Sequence, residues 1–99
     1  MIRHIVMFKL KENAEGYSKA ENLERVYNAL MACKNLPGIT HFEVIIAGDK
    51  LEASMDVLLD STFIDKEALD AYQIAPIHEV AKELIGKVRE ERVVFDYVK

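Results

Sequence analysis

The spacing of hydrophobic residues changes along the chain in one particular order, and this order limits the possible folds more than any other feature. Apolar residues alternate with a period of two in four segments and recur at helical spacing in two regions. The segments are strand 2–10, helix 17–35, strands 39–48 and 55–63, a helical region over 65–88, and strand 91–98. The sequence therefore predicts the element order βαββαβ.

This order defines an architecture because crossover connections between parallel strands of one sheet are almost always right-handed. Right-handed crossovers from the first strand and from the third place both helical regions on the same face of one sheet. The predicted fold is a ferredoxin-like α+β sandwich. A chain of 99 residues with 51% hydrophobic and 30% charged residues suits one domain, which we assign to residues 1–99.

Both faces of the predicted sheet carry apolar residues. The face expected to contact the helices contains His4, Val6, Phe8, Leu10, Met55, Val57 and Leu59. The opposite face is expected to contain Ile5, Met7, Ile45, Leu58 and Val94. An exposed apolar sheet face usually marks an interaction surface, so we predict a homodimer with two-fold symmetry in which the two sheets face each other.

Charge and motif content exclude several classes of function. A net charge of -4, with scattered lysines and arginines, argues against nucleic-acid binding. The absence of an apolar run of about 20 residues argues against a membrane protein, and we expect a cytoplasmic location. The single cysteine, Cys33, has the surroundings of a small core residue. No phosphate-binding loop, hydrolase elbow or short-spaced metal-ligand pair is present, so we expect no cofactor and no metal.

Four stretches carry a resemblance to a known family: "IRHIVMFKLKE", "LPGI", "STFIDKEALDAYQIAPIHEV" and "VVFDY". They are similar to the stress-responsive dimeric A/B barrel, or Dabb, family. The resemblance implies a homodimer in which two four-stranded sheets close into a dimeric α+β barrel with the helices outside. It leaves function open, because the members include stress-induced proteins and a plant polyketide cyclase.

The resemblance also suggests site residues. Cyclase-type members use a histidine just after a proline and a tyrosine six residues before that histidine, and His78 and Tyr72 occupy these places. Tyr27 matches a tyrosine that lines the cyclase pocket, and His4 matches a histidine of the first strand.

Two positions depart from the family pattern. Many members have "HPxH" where this chain has "APIH", so Ala75 replaces the first histidine, and Val57 replaces a histidine of the third strand. These changes predict a less polar pocket that accepts a small apolar ligand.

The proline between Tyr72 and His78 gives a physical reason to consider the pair together. On an unbroken helix, six residues turn about 600°, which leaves two side chains roughly 120° apart. Pro76 disfavours helical geometry at Ala75 and suits the first position of a new helix, so a bend could bring both side chains to one cavity. An imidazole transfers protons near neutral pH and a phenol bonds a carbonyl oxygen, which suits enolisation, aldol closure or isomerisation.

Two hypotheses for the function remain after the sequence is considered. The pocket is expected to be bounded by Leu23, Tyr27, Leu59, Tyr72 and His78, with His4 as a lining residue. The first is a cofactor-free cyclase or isomerase acting on a small apolar carbonyl compound, with His78 as acid/base and Tyr72 polarising the carbonyl. It predicts an enclosed cavity that both side chains face. The second is a non-catalytic stress-related or ligand-binding dimer, which allows a filled core and an imidazole bonded to backbone.

Overall fold

A computed structural model describes residues 1–99. The elements are β1 (Ile2–Leu10), β2 (Asn13–Ala14), β3 (Tyr17–Ser18), α1 (Lys19–Met31), β4 (Ile39–Ile46), β5 (Val57–Phe63), α2 (Lys66–Ile74), α3 (Pro76–Val88) and β6 (Arg89–Val98). Strands β4, β5, β1 and β6 form, in this order, one antiparallel sheet. None of the helices has the length and apolarity that crossing a bilayer requires. The βαββαβ order and the ferredoxin-like α+β fold are confirmed.

The first helix begins later than its hydrophobic spacing suggests. Ser18 caps it: the Glu21 amide donates to Ser18 Oγ at 3.2 Å, and the Ser18 amide donates to Glu21 Oε1 at 2.9 Å. The residues before it form the short hairpin β2–β3, whose turn holds Glu15 and Gly16 at φ values of 56° and 79°. The sequence does not predict this hairpin, because strands of two residues are too short to show alternation.

The predicted break in the second helical region is present. Asp65 caps α2 by accepting a hydrogen bond from the Ala68 amide at 2.8 Å. The helix ends before Ala75, which is extended at φ -61° and ψ 138°, and α3 begins at Pro76. This geometry follows from the clash between a proline ring and helical backbone at the preceding residue. The chain therefore bends between two helices that would otherwise be continuous.

The core lies between the helices and one face of the sheet. Even-numbered residues of β1 from His4 to Leu10 are buried, whereas the odd-numbered residues are half-buried. The buried apolar residues are Val6, Phe8, Leu10, Val26, Leu30, Cys33, Val57, Leu59, Phe63, Leu69, Tyr72, Ala81, Ile85 and Val88. Cys33 is thus a core residue as expected, and burial raises the pKa of its thiol.

Two residues lie on a different face from the one the alternation suggested. Val94 is paired with Val6 and therefore shares the helix-side face. Met55 precedes β5 and borders a concavity on the opposite face of the sheet, beside Met7 and Ile45. The error at Val94 has a simple cause: three consecutive residues of "VVF" are apolar, so alternation could not assign their faces.

The face away from the helices is apolar over much of its area. Its members from the first three sheet strands are Ile5, Met7, Ile45 and Leu58, as expected, and β6 adds Val93, Phe95 and Tyr97. Phe95 is 68% exposed although it stands opposite Ile5 in the sheet. This surface is called the open face below.

Candidate functional site

A cavity of about 340 Å³ lies between α3 and the helix-side face of the sheet. Its lining residues are His4, Val6, Phe8, Leu30, Leu59, Gln73, His78, Lys82, Ile85, Gly86, Arg89 and Arg92. Ligand pockets commonly have volumes of about 300–1,000 Å³, so this cavity has room for a small molecule.

His78 enters the cavity from the first turn of α3, where the restart at Pro76 directs it inward. The residue is buried, and its Nδ1 lies 3.2 Å from the carbonyl oxygen of Gln73 near the end of α2. With Nδ1 donating to that oxygen, Nε2 is the unprotonated nitrogen. Burial lowers the pKa of His78 below its ordinary value, with partial opposition from the Gln73 hydrogen bond and a further lowering from Lys82. The ring is therefore neutral at pH 7 and able to accept a proton.

Tyr72 packs directly behind His78. Their ring centroids are 4.2 Å apart, so the helix break brings the two side chains together as the sequence predicted. The phenol is 1% exposed, and its ring also contacts Phe63 at a centroid distance of 5.0 Å. Burial raises the pKa of Tyr72 well above its ordinary value, so the hydroxyl keeps its proton and remains a donor.

The Tyr72 hydroxyl is the only buried side-chain nitrogen or oxygen without a hydrogen-bond partner. Such an orphan is unusual, because most buried polar groups are paired. Tyr72 is nevertheless absent from the cavity lining, so its hydroxyl and His78 do not face the same void, which corrects the expectation that both side chains reach one cavity. The hydrogen bond from His78 to backbone is the one expected for a structural role. It uses only Nδ1, so the second nitrogen of the imidazole remains available to the cavity that His78 lines.

His4 forms a pair that the sequence did not reveal. It is 2% exposed, and its Nδ1 lies 2.5 Å from Oδ1 of Asp96, the residue opposite it in the β1–β6 register. The carboxylate accepts a hydrogen bond from Nδ1, an arrangement that orients catalytic and metal-bound histidines. Asp96 could have been found only by aligning the first and last strands, because 92 positions separate the partners.

The other lining residues proposed from sequence divide into two groups. Leu59 lines the cavity, as does His4. Leu23 and Tyr27 do not, which corrects the expectation that they bound it. The cavity opens beside α3 and the β1–β6 pair, and α1 reaches it only through Leu30, whereas Tyr27 is 37% exposed on the same helix.

The cavity is also less apolar than the sequence suggested. Five of its twelve lining residues are hydrophobic. Lys82, Arg89 and Arg92 supply three cationic groups, and no carboxylate residue is among the lining. The positions of these three residues in the sequence did not show that they would meet at one cavity. Lys82 lies on a helix and the arginines lie on a strand, so no single periodicity relates them.

A second group of potential ligands lies on the sheet away from the cavity. One nitrogen of His41 and carboxylate oxygens of Glu43 and Asp60 fall within 4.8 Å of one another. These atoms already have partners: Arg3 donates to both Asp60 oxygens at 2.7 Å, and His41 Nε2 lies 3.2 Å from Glu43. A metal ion would have to displace the Arg3 fork, so this group does not form a ready site.

The antiparallel sheet, the helices on one of its faces and the histidine-lined cavity between the layers define a ferredoxin-like α+β protein with a candidate small-molecule site. Residues 2–99 match the model of the stress responsive A/B barrel domain, Dabb. The chain belongs to the Dabb family.

Solved structures support this placement. A Dabb family protein with a ferredoxin-like fold from Mesorhizobium loti is 27% identical, with 99% of this chain and 95% of that chain covered and a TM-score of 0.72. A dimeric ferredoxin-like protein of unknown function from Jannaschia sp. CCS1 is also 27% identical, with coverage of 99% and 98% and a TM-score of 0.74. A dimeric protein of unknown function from Bacteroides fragilis shares the fold at 24% identity, coverage of 99% and 95%, and a TM-score of 0.84. A comparison with proteins of curated function finds no match.

Proposed function

We propose that this Dabb protein is a homodimeric, cofactor-free enzyme of the cyclase or isomerase type that enolises a small carbonyl compound. The observation that carries the proposal is His78, a neutral buried imidazole at the wall of a cavity, with Nδ1 held by the Gln73 carbonyl. The pKa of this imidazole is lowered, as the pKa values of catalytic groups often are. Nε2 of His78 has no hydrogen-bond partner, yet the only buried side-chain nitrogen or oxygen without one is Tyr72 Oη. Nε2 of His78 is therefore not enclosed in the core.

In the proposed reaction, Nε2 of His78 takes a proton from the carbon next to the substrate carbonyl. The C–H bond breaks, its electron pair forms the enolate C=C bond, and the carbonyl π electrons move to oxygen. The Tyr72 hydroxyl, protonated and without a partner, is the donor proposed for that oxygen. Because Tyr72 does not line the cavity, this contact requires the cavity wall beside His78 to open when the substrate binds. If the substrate is a β,γ-unsaturated carbonyl compound, return of the proton from His78 to the γ-carbon of the dienolate completes an isomerisation. Attack of the enolate carbon on a second carbonyl, whose oxygen then takes the proton from His78, completes a cyclisation.

The homodimer is proposed on the basis of the open face. This face exposes large apolar side chains, among them Phe95 at 68% and Ile45 at 43%, which would gain free energy by leaving water. A dimer would also enlarge the buried fraction of a chain too short to build a large core. The 27% identical Jannaschia protein, described as dimeric, supports the same assembly here.

Proton exchange provides a direct test of enolisation. The protein is incubated in D₂O with levulinate, a small keto acid, and with its methyl ester, and loss of the α-proton signals is followed by NMR. We expect the protein to accelerate exchange for at least one of them, and His78→Gln to abolish the acceleration. His41→Gln, a change at an exposed imidazole, is the control. Equal acceleration by the wild type and by His78→Gln would remove His78 from the mechanism.

A non-catalytic ligand-binding dimer is the second candidate. It is favoured by the His78 bond to Gln73, because that bond satisfies a carbonyl near the end of α2 and would hold the helix break without any reaction. Binding of carbonyl compounds without accelerated exchange would support this candidate over the first.

A further inference from the structure

The register of β6 contains an irregularity next to the cavity. Leu10 is paired with Arg89 and Lys9 with Glu91, so Glu90 is an extra residue that has no partner of its own in β1. This is a β-bulge, in which two residues of one strand stand opposite one residue of the other.

The bulge decides which way two arginines point. Arg89 and Arg92 are an odd number of residues apart, so a regular strand would direct them to opposite faces of the sheet. With Glu90 inserted, Arg89 stands opposite Leu10 and Arg92 opposite Phe8, and both share the helix-side face. Both line the cavity. Bulges are common next to active sites, where they redirect a side chain.

These two guanidinium groups have no ion-pair partner, although the chain has an excess of acidic residues. The nearby acids are directed elsewhere: Glu91 stands opposite Lys9 on the other face, and Glu90 contacts Lys9 Nζ at 3.6 Å. The third cation of the cavity, Lys82, is shared between Glu79 at 3.0 Å and the Gln73 carbonyl at 3.4 Å. Arg89 and Arg92 therefore leave at least two forks of N–H donors free at a cavity whose lining has no carboxylate.

We propose that the ligand of this cavity is an anion, a small carbonyl compound whose carboxylate or phosphate oxygens are bound by Arg89 and Arg92. A planar guanidinium binds two oxygens of such a group through parallel hydrogen bonds. The proposal rests on the proposed function for the position of the carbonyl, which lies at His78 in the same cavity. It replaces the apolar ligand suggested by the sequence with an acidic one.

The test compares a charged ligand with its neutral counterpart. Binding of levulinate, methyl levulinate and inorganic phosphate is measured by calorimetry, with the wild type, Arg89→Gln, Arg92→Gln and Arg92→Lys. We expect levulinate to bind at least about tenfold more tightly than its ester, and each Gln variant to weaken levulinate binding about tenfold, the effect of one charge-assisted hydrogen bond. Arg92→Lys should retain part of the affinity. Lys34→Gln, which removes an exposed charge outside the cavity, should bind like the wild type.

The source of the anionic oxygens is read from the phosphate measurements. If phosphate displaces levulinate at a concentration equal to or below that of levulinate, the natural ligand bears a phosphate. If a higher concentration of phosphate is needed, the natural ligand bears a carboxylate. Equal binding of levulinate and its ester, no binding of either anion, or unchanged affinity in both Gln variants would overturn the proposal.

Failure of the proposed function gives a different result. If levulinate binds through the arginines but its α-protons exchange no faster than in buffer, the anion site stands and the enzyme proposal fails. If the neutral ester exchanges as fast as the acid and the Gln variants keep full activity, the enzyme proposal stands and the anion site fails.

Discussion

The Nδ1 of His4 donates a hydrogen bond to Oδ1 of Asp96 across the pair formed by the first and last sheet strands, at 2.5 Å. The imidazole is 2% exposed, whereas the carboxylate side chain is 41% exposed. The His4 imidazole is therefore removed from water, and its Nδ1 depends on Asp96 for a hydrogen bond.

Removal of the Asp96 carboxylate should destabilise the fold. Asp96→Ala leaves a buried N–H without an acceptor, so we expect the free energy of unfolding in urea to fall by about 1–3 kcal/mol. Asp96→Asn keeps an acceptor oxygen and should lose less. Asp49→Ala, at an exposed loop residue, is the control. Equal stabilities of Asp96→Ala and wild type would show that the bond contributes nothing to folding.

This pair also shows where sequence reasoning reached its limit. Alternation in β1 correctly placed His4 on the helix-side face, and Pro76 correctly predicted a break that brings Tyr72 to His78. Both features are encoded within about ten residues. The partner of His4 depends on the register between strands at the two ends of the chain, and no local pattern encodes that register.

The cavity wall could not be predicted for a related reason. The expected members Leu23 and Tyr27 have the right spacing on α1, but the position of that helix over the sheet decides which of its turns reaches the void. The arginines of β6 depend on one inserted residue in a strand whose apolar residues do not alternate. Packing and register, rather than composition, determined these positions.

Tyr72→Phe should separate stability from activity. The substitution removes a buried hydroxyl that has no partner, so we expect the free energy of unfolding to stay equal or rise by up to about 1 kcal/mol. If the hydroxyl donates to the substrate oxygen, the accelerated exchange of α-protons should fall at least about tenfold. Tyr27→Phe, at a tyrosine that is 37% exposed, should change neither quantity. A loss of stability together with full activity would contradict both parts.

The stability of the protein should decrease as the pH falls below the ordinary pKa of histidine. Burial lowers the pKa of folded His78 from 6.5, so below that pH the unfolded chain binds a proton that the folded chain does not. The free energy of unfolding therefore decreases as the pH is lowered from about 6.5 to the pKa of His78 in the folded protein. Below that pKa, His78 causes no further decrease. Lys82 adds to the shift, as does His4, whereas Gln73 and Glu79 oppose it.

Urea unfolding at about pH 7.5 and about pH 5 measures this loss. We expect His78→Gln to lose less stability than the wild type over that interval, because the glutamine does not titrate. Lys34→Gln, a change at an exposed residue that does not titrate in this interval, should retain the wild-type loss. The assignment to His78 fails if the two variants show the same pH dependence.

A charge on the open face should prevent dimer formation. Phe95→Glu places a carboxylate where the proposed dimer buries an aromatic ring, so light scattering should report a mass near 11.3 kDa rather than twice that value. Val80→Glu is a matched control, because Val80 is also 68% exposed but lies on α3, away from the sheet. A dimer that survives Phe95→Glu, or one that Val80→Glu disrupts, would place the interface elsewhere.

The bulge at Glu90 has a consequence for how this site could change during evolution. Because one unpaired residue decides whether Arg89 and Arg92 share a face, the gain of a single codon in β1 opposite Glu90 would restore regular pairing and send one of the arginines to the other side of the sheet without substituting either of them. Ligand charge preference among relatives could thus change through a gap in an alignment rather than through a substitution. A comparison that scores only residue identity along β6 would miss this change in register.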